Sequence, residues 1–320
     1  MPTFGQTTAK DWSNQGADLS SQGKYDEAIQ AFDKAIQLQP DFAGTYSNKG
    51  TVLDIQGKYD EAIQAFDKAI QLQPDLAEAY NGKGSALNSQ GKYNEAIQAF
   101  DKAIQLQPDF AGAYSNKGIV LDVQGKYDEA IKAYDEATRL DPSNAKTWYN
   151  KGRVLHMHGK IDDAIKAYDE AIRLNPNHAN AWYYKGLALG NQSKYIEAIK
   201  AYDEATRLDP SNANAWNKKG NILNSQGKYD EAIKAFDEAI RLDPNNANAW
   251  TSKGLALSLN NKLDDAIKTF DEAIRLDPNN ANAWYCKGIV LEAFGKTSEA
   301  NAAKAKGKEL GFSVGPQNAI

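Results

Sequence analysis

Residues 9–42 read AKDWSNQGADLSSQGKYDEAIQAFDKAIQLQPDF, and residues 43–76 read AGTYSNKGTVLDIQGKYDEAIQAFDKAIQLQPDL. The second stretch repeats the first 34 residues later, and the same register runs on through the chain. Eight of the ten prolines stand on it, at 40, 74, 108, 142, 176, 210, 244 and 278. Units open at Ala9, Ala43, Ala77, Ala111, Ala145, Ala179, Ala213, Ala247 and Ala281, giving eight full units and a modified ninth. A fixed period of this length marks an array of stacked supersecondary units. A length of 320 residues alone would predict two ordinary domains. The period predicts instead a short lead over 1–8, one array over 9–310 and a flexible tail over 311–320.

Within each unit the residue types predict two helices. An aromatic (Trp12, Tyr46, Tyr80, Tyr114, then Trp148 to Trp284) is followed four residues on by glycine, Gly16 to Gly288, and three further on by leucine, Leu19 to Leu291. Spacings of four and three put these on one helical face. Glycine inside a helix costs about 1 kcal/mol, so its recurrence points to a close approach, here expected from another backbone. A break at Gly-Lys or Asn-Lys (Gly23, Asn261) precedes a second helical pattern, represented by Ala28, Ile29, Phe32, Ala35 and Ile36. Proline ends it, and the Asp, Asn or Ser beside the proline can cap the next helix. Charges on the second helices are expected to pair one turn apart, as Asp135 with Arg139 and Asp169 with Arg173.

Composition excludes several classes. The net charge is −5, with 42% hydrophobic and 25% charged residues, so there is no basic footprint for nucleic acid. No apolar run approaches the roughly 18 residues that span a bilayer, and MPTFGQTTAK lacks a secretory layout. The single cysteine, Cys286, permits no intramolecular disulfide, which suits the cytoplasm.

The pattern aromatic-x₃-Gly, Ala-x₃-Phe/Tyr-x₂-Ala and a closing proline, in nine tandem units of 34 residues of which the last is modified, resembles the tetratricopeptide repeat. That resemblance implies an all-α fold, a right-handed superhelical solenoid of helical hairpins with first helices lining a groove. It also implies an adaptor that holds peptides or partner proteins there. The chaperone-tail version of the family uses a clamp of lysines, arginine and asparagines, and no three consecutive units here supply it. In the ninth unit Lys304 replaces an aromatic and Gly307 an alanine, and SEANAAKAKGKEL reads as a solvated cap. No comparable cap is expected at the front.

Differences between copies concentrate on the first helices, in the columns headed by Lys10, Ser13, Ala17, Ser20 and Ser21, which are predicted to face the groove. The fourth unit offers Ile119 and Val123 there, the fifth Tyr149, Arg153 and Met157, the sixth Tyr183 and Leu187. These apolar groups predict an amphipathic site around Tyr149, Met157, Tyr183 and Leu187. A neighbouring column carries Asn14, Asn48, Asn116 and Asn150, interrupted by Gly82, and an asparagine side chain can match a peptide backbone in both donor and acceptor.

Other candidates carry less. Lysine fills one column from Lys49 to Lys287, with its stem expected against the neighbouring repeat and its amine in water. His156 and His158 point to nearly opposite sides of a helix, so no metal pair is expected. Cys286 has no histidine partner in its unit, and no cofactor, phosphate or nucleophile motif is present. The expectation is a non-enzymatic adaptor with a protein or peptide ligand. The rival is a scaffold that self-associates through a repeat end or the tail near Phe312, and RNA binding is disfavoured by charge.

Overall fold

The computed structural model describes residues 7–313; of the expected lead and tail, 1–6 and 314–320 lie outside them. The described residues form eighteen α-helices in hairpins and no strand. The first helices are α1 (Ala9–Ser21), α3 (Ala43–Ile55), α5 (Ala77–Ser89), α7 (Ala111–Val123), α9 (Ala145–Met157), α11 (Ala179–Asn191), α13 (Ala213–Ser225), α15 (Ala247–Leu259) and α17 (Ala281–Ala293). The second helices are α2 (Tyr25–Leu38), α4 (Tyr59–Leu72), α6 (Tyr93–Leu106), α8 (Tyr127–Leu140), α10 (Ile161–Leu174), α12 (Tyr195–Leu208), α14 (Tyr229–Leu242), α16 (Leu263–Leu276) and α18 (Thr297–Glu309). Internal contacts divide the chain into two compact units, one ending at Ala167 and one beginning at Tyr168, so the boundary falls inside α10.

The break between first and second helix is a left-handed residue. Seven glycines take it, among them Gly23 at φ +75° and Gly125 at +71°, and the next amide closes a Schellman turn, as Lys24 N donating to Leu19 O at 2.9 Å. Two units lack the glycine and hold Asn261 at φ +58° and Ser193 at +57°. Asparagine tolerates this conformation; serine does so less well. Ser193→Gly is therefore expected to stabilise the second unit by about 0.5–1 kcal/mol, the left-handed penalty less the entropy of glycine. Slower amide exchange in α11 and α12 checks this, and unchanged or faster exchange contradicts it.

The helical glycines do have a close neighbour, but it is a ring, not a backbone. A Cβ on Gly16 would stand 2.5 Å from the Phe32 ring, and one on Gly84 would stand 2.6 Å from Phe100; Gly186 meets Tyr202 in the second unit the same way. In these hairpins the second-helix aromatic thus packs against the glycine of its own first helix, and such rings are among the largest fully buried side chains. The ninth hairpin differs because Lys304 replaces the ring. A Cβ on Gly288 would stand 2.9 Å from both Ala300 O and Lys304 N, and one on Gly307 2.9 Å from Tyr285 N, so backbone lies close to backbone.

Successive hairpins are joined by a second set of columns. The lysine amines are not left to water alone: Lys49, Lys83, Lys117 and Lys151 in the first unit, and Lys185, Lys219, Lys253 and Lys287 in the second, each pair at 2.5–2.8 Å with an aspartate on the preceding second helix. Asp135 and Asp169 are engaged this way, so Arg139 and Arg173 pair with Glu136 and Glu170 three residues earlier, not with the aspartates. These pairs are partly exposed, and each contributes about 0–1 kcal/mol. Trp148 Nε1 donates to Pro142 O at 3.0 Å, and Trp182, Trp216, Trp250 and Trp284 repeat the bond, tying the tryptophan column to the proline ruler. The helix that follows is capped by Asn144, His178, Asn212, Asn246 or Asn280; the acid before the proline instead braces the turn, as Asp141 Oδ1 accepting from Ser143 N. In repeats two to four Phe42, Leu76 and Phe110 hold the cap position with no side-chain bond.

First helices touch the first helix of the next repeat (α1 with α3 and α5 with α7 in one unit, α11 with α13 and α15 with α17 in the other), whereas among the described residues no two second helices of one unit pack together. Each unit therefore bends toward its first helices, which make one continuous face. Both ends are solvated. α1 is fitted with polar groups where later repeats bury apolar ones: Asp18 is exposed where Val52 and Ala86 are buried, and Asp11 is exposed where Ala79 is, so the front is capped after all. Asp11 also completes a capping box with Thr8, whose amide and hydroxyl both donate to Asp11 Oδ2. At the other end Asn301 and Lys308 are exposed in columns where Ile29 and Ile36 are half-buried. Of the expected tail, Gly311 (φ +97°) and Phe312 are built in: Phe312 N donates to Gly307 O at 2.9 Å, and its ring stacks on Tyr285 with centroids 3.9 Å apart.

Candidate functional site

The first-helix face is the surface that stacking leaves open, and its residues divide between the two units. In the first unit Val123 is 57% exposed and Met157 66%, each the last residue of its helix. Ile55, at the same place in α3, is 55% exposed; the sequence reading passed over it because Ser89 separates it from Val123 in the column. Ile119 and Tyr149 are half-buried on the same face. In the second unit Tyr183 and Leu187 are half-buried, and Tyr183 is held edge-on to Tyr184, with centroids 5.1 Å apart, and tilted against Tyr202 at 6.1 Å. Burial pushes the Tyr183 hydroxyl up from its ordinary range, with Tyr184 adding to the shift.

The asparagine column does not form an open ladder. Asn14 and Asn48 are exposed, but Asn116 Nδ2 donates to Asn81 Oδ1 at 3.0 Å, and Asn150 is only 8% exposed. The column leans on the preceding second helix. A Cβ on Gly82 would lie 2.4 Å from the Phe66 ring, and Tyr184 stacks on Tyr168 at 6.3 Å. Phe66 therefore sits between Gly50 and Gly82, which explains the gap in the asparagines.

Two acidic residues of one column stand on this face in the first unit. Asp54 and Asp122 are both half-buried, and desolvation raises both carboxyls above the ordinary range. Arg153 Nη2 lies 3.7 Å from Asp122 Oδ2 and partly offsets the shift; at Asp54 the opposing group is the Ser85 hydroxyl. A carboxyl whose folded value is raised weakens the fold when ionised. Asp54→Asn is therefore expected to stabilise the chain at neutral pH, with the gain fading as pH falls through the raised value toward that of the unfolded chain. Denaturation at pH 7 and pH 3 checks the sign; an equal effect at both contradicts it.

The remaining candidates are accounted for structurally. His158 Nε2 lies 3.1 Å from Asp128 Oδ1 beside Lys160, repeating the reach of Gln56 to Asp26 and Gln90 to Asp60. Cys286 is half-buried and its thiol is pushed up to about 11, the reverse of an activated nucleophile. A cleft of about 470 Å³ lies in the second unit beside Trp182, Leu189, Glu197 and Lys200. Clefts of about 240 Å³ recur in the first unit beside Tyr46 and Tyr80 at the same repeat positions, so they follow from repeat geometry. No helix among the described residues is long and apolar enough to cross a membrane.

Comparison with known proteins agrees with this architecture. Profiles of the tetratricopeptide repeat match residues 14–77, 48–111, 115–179, 158–195 and 183–247, and a second profile of the same description matches 223–289. No curated protein matches the chain. Among solved structures, YrrB, described as a TPR protein with an unusual peptide-binding site, is 28% identical with a TM-score of 0.54, over 60% of this chain and 98% of that one. MamA is 30% identical with a TM-score of 0.51, over 53% and 93%. A tetratricopeptide repeat protein from Parabacteroides merdae shares the fold at 20% identity, TM-score 0.55, over 74% and 94%. With the 34-residue hairpins, the ring-on-glycine packing and profile matches running from residue 14 to 289, the chain belongs to the tetratricopeptide repeat family.

Proposed function

We propose that the chain is a non-enzymatic adaptor of the cytoplasm whose first-helix face binds an extended peptide segment of a partner protein. The observation that carries this is the exposure of Val123 and Met157 in consecutive repeats, on a face where stacking does not need them. Isolated exposed apolar groups are ordinary, but aligned ones beside half-buried Ile119 and Tyr149 make a surface suited to apolar side chains. In the second unit Tyr183 and Leu187 offer similar chemistry, and Asn14 and Asn48 are the ladder asparagines left exposed to meet a backbone. The peptide-binding site attributed to YrrB, a relative at 28% identity, supports the same reading.

Self-assembly through the array ends is less favoured. Docking there would bury Asp11 and Asp18 at one end or displace Phe312 from Tyr285 at the other. Nucleic acid is disfavoured because the lysine column is spent on internal aspartates. To test the reading, random twelve-residue peptides are selected on the full chain and the best binder is mapped by amide exchange. Protection on the α7 and α9 face is expected. Absence of any saturable binder, or protection confined to the clefts beside Trp182 and Tyr80, contradicts it.

A further inference from the structure

The chain contains the same polar constellation twice, once complete and once lacking its cation. In repeat four Asp122 receives the guanidinium of Arg153, which stands 31 residues later on the next first helix, at 3.7 Å. In repeat two Asp54 occupies the identical column, and the residue 31 later is Ser85. Ser85 supplies a hydroxyl hydrogen bond but no charge, and its side chain is far shorter than that of Arg153 two repeats on. Asp54 Oδ1 is sealed from solvent without a hydrogen-bond partner, and among the described residues Asp54 makes no ion pair within 4 Å. An ionised carboxylate in such surroundings is held at a cost that a paired cation relieves.

We propose that Asp54 is a recognition site for a cationic side chain, arginine or lysine, of the bound partner segment, seated over Ser85 as Arg153 is seated over Asp122. This rests on the first-helix face being the binding surface and adds the charge of the ligand to that reading. The occupied copy within the same protein sets the chemistry. The guanidinium approaches from the column of Ala17, Thr51, Ser85, Ile119 and Arg153, and Thr51 and Asn88 are the polar neighbours in sequence register on either side. No lysine or arginine of repeats two or three stands in the columns of this face, so the site draws its cation from outside. The partner segment then carries a basic residue near the apolar ones that meet Val123 and Met157.

The test uses the full chain, isotope-labelled, titrated by NMR with N-acetyl-arginine methylamide and with its uncharged isostere N-acetyl-citrulline methylamide. The expected result is a saturable shift of the Asp54 and Ser85 amides with the arginine compound, at least tenfold weaker with citrulline. Asp54→Asn removes it by deleting the charge. Ser85→Arg removes it by supplying the cation in cis, and its resonances elsewhere report that the fold is intact. Equal responses to both compounds, no saturable response at Asp54, or persistence in Asp54→Asn overturns the proposal. Because the probe is a single residue, this outcome is separable from the peptide reading: the arginine response can fail while peptides still protect α7 and α9, and the reverse.

Discussion

Replacing Phe66 by alanine is expected to destabilise the first unit by about 3–5 kcal/mol, the upper range for a buried ring. Phe66 is 1% exposed, and its ring is bounded by Gly50 in its own hairpin and Gly82 in the next. Added Cβ atoms would stand 2.9 and 2.4 Å from it, so the ring fills space that neither helix can fill with a side chain of its own. Truncation leaves a cavity walled by two glycine backbones, and such a cavity collapses poorly because no neighbouring side chain can swing in. Phe100, whose own hairpin glycine is Gly84, faces Asn116 in the column where Phe66 faces Gly82, and Phe100→Ala is expected to cost less. Repeat arrays unfold in segments, so the measurement is amide exchange in α3, α4 and α5 alongside denaturant unfolding. A loss below about 1 kcal/mol contradicts the wedge.

The hairpins were legible because their columns recur nine times, and recurrence separates packing from chance. What the aromatic, glycine and alanine columns touch was less legible. Gly16 and Gly84 announce a close approach, but spacing cannot tell a backbone from the ring of Phe32 or Phe100, and it is the ninth hairpin that makes the backbone contact. The lysine column shows the same limit. Lys117 and Asp101 lie sixteen residues apart on different hairpins, a distance that no intrahelical rule reaches, so the aspartates were matched to arginines on their own helix. The front cap was missed because it consists of substitutions in α1, Asp11 and Asp18, and not of an added helix.

On the candidate face, the apolar residues Val123 and Met157 could be read from column comparison alone, since the same column holds serine at Ser21, Ser89 and Ser225 and so is not needed for stacking. The asparagines could not, because whether Asn116 is open or bonded to Asn81 depends on how far neighbouring first helices approach. Asp54 was likewise hidden: its significance appears only when Arg153 is seen to reach back to Asp122.

The second large effect concerns binding. Val123→Ser and Met157→Ser together should leave the fold intact, because both side chains are more than half exposed and neither belongs to the buried core. Tyr183 is a poorer choice for the same purpose, since its ring packs against Tyr184 and Tyr202. Burying two such apolar groups in an interface is worth about 2–3 kcal/mol, so affinity for a selected peptide should fall roughly 30- to 150-fold. The decisive measurement is a calorimetric titration of that peptide into the wild-type chain and into the double serine variant, with thermal unfolding of both recorded in the same buffer. The expected result is a loss of that size with unfolding unchanged; equal affinities for the two proteins would contradict the first-helix face as the binding surface.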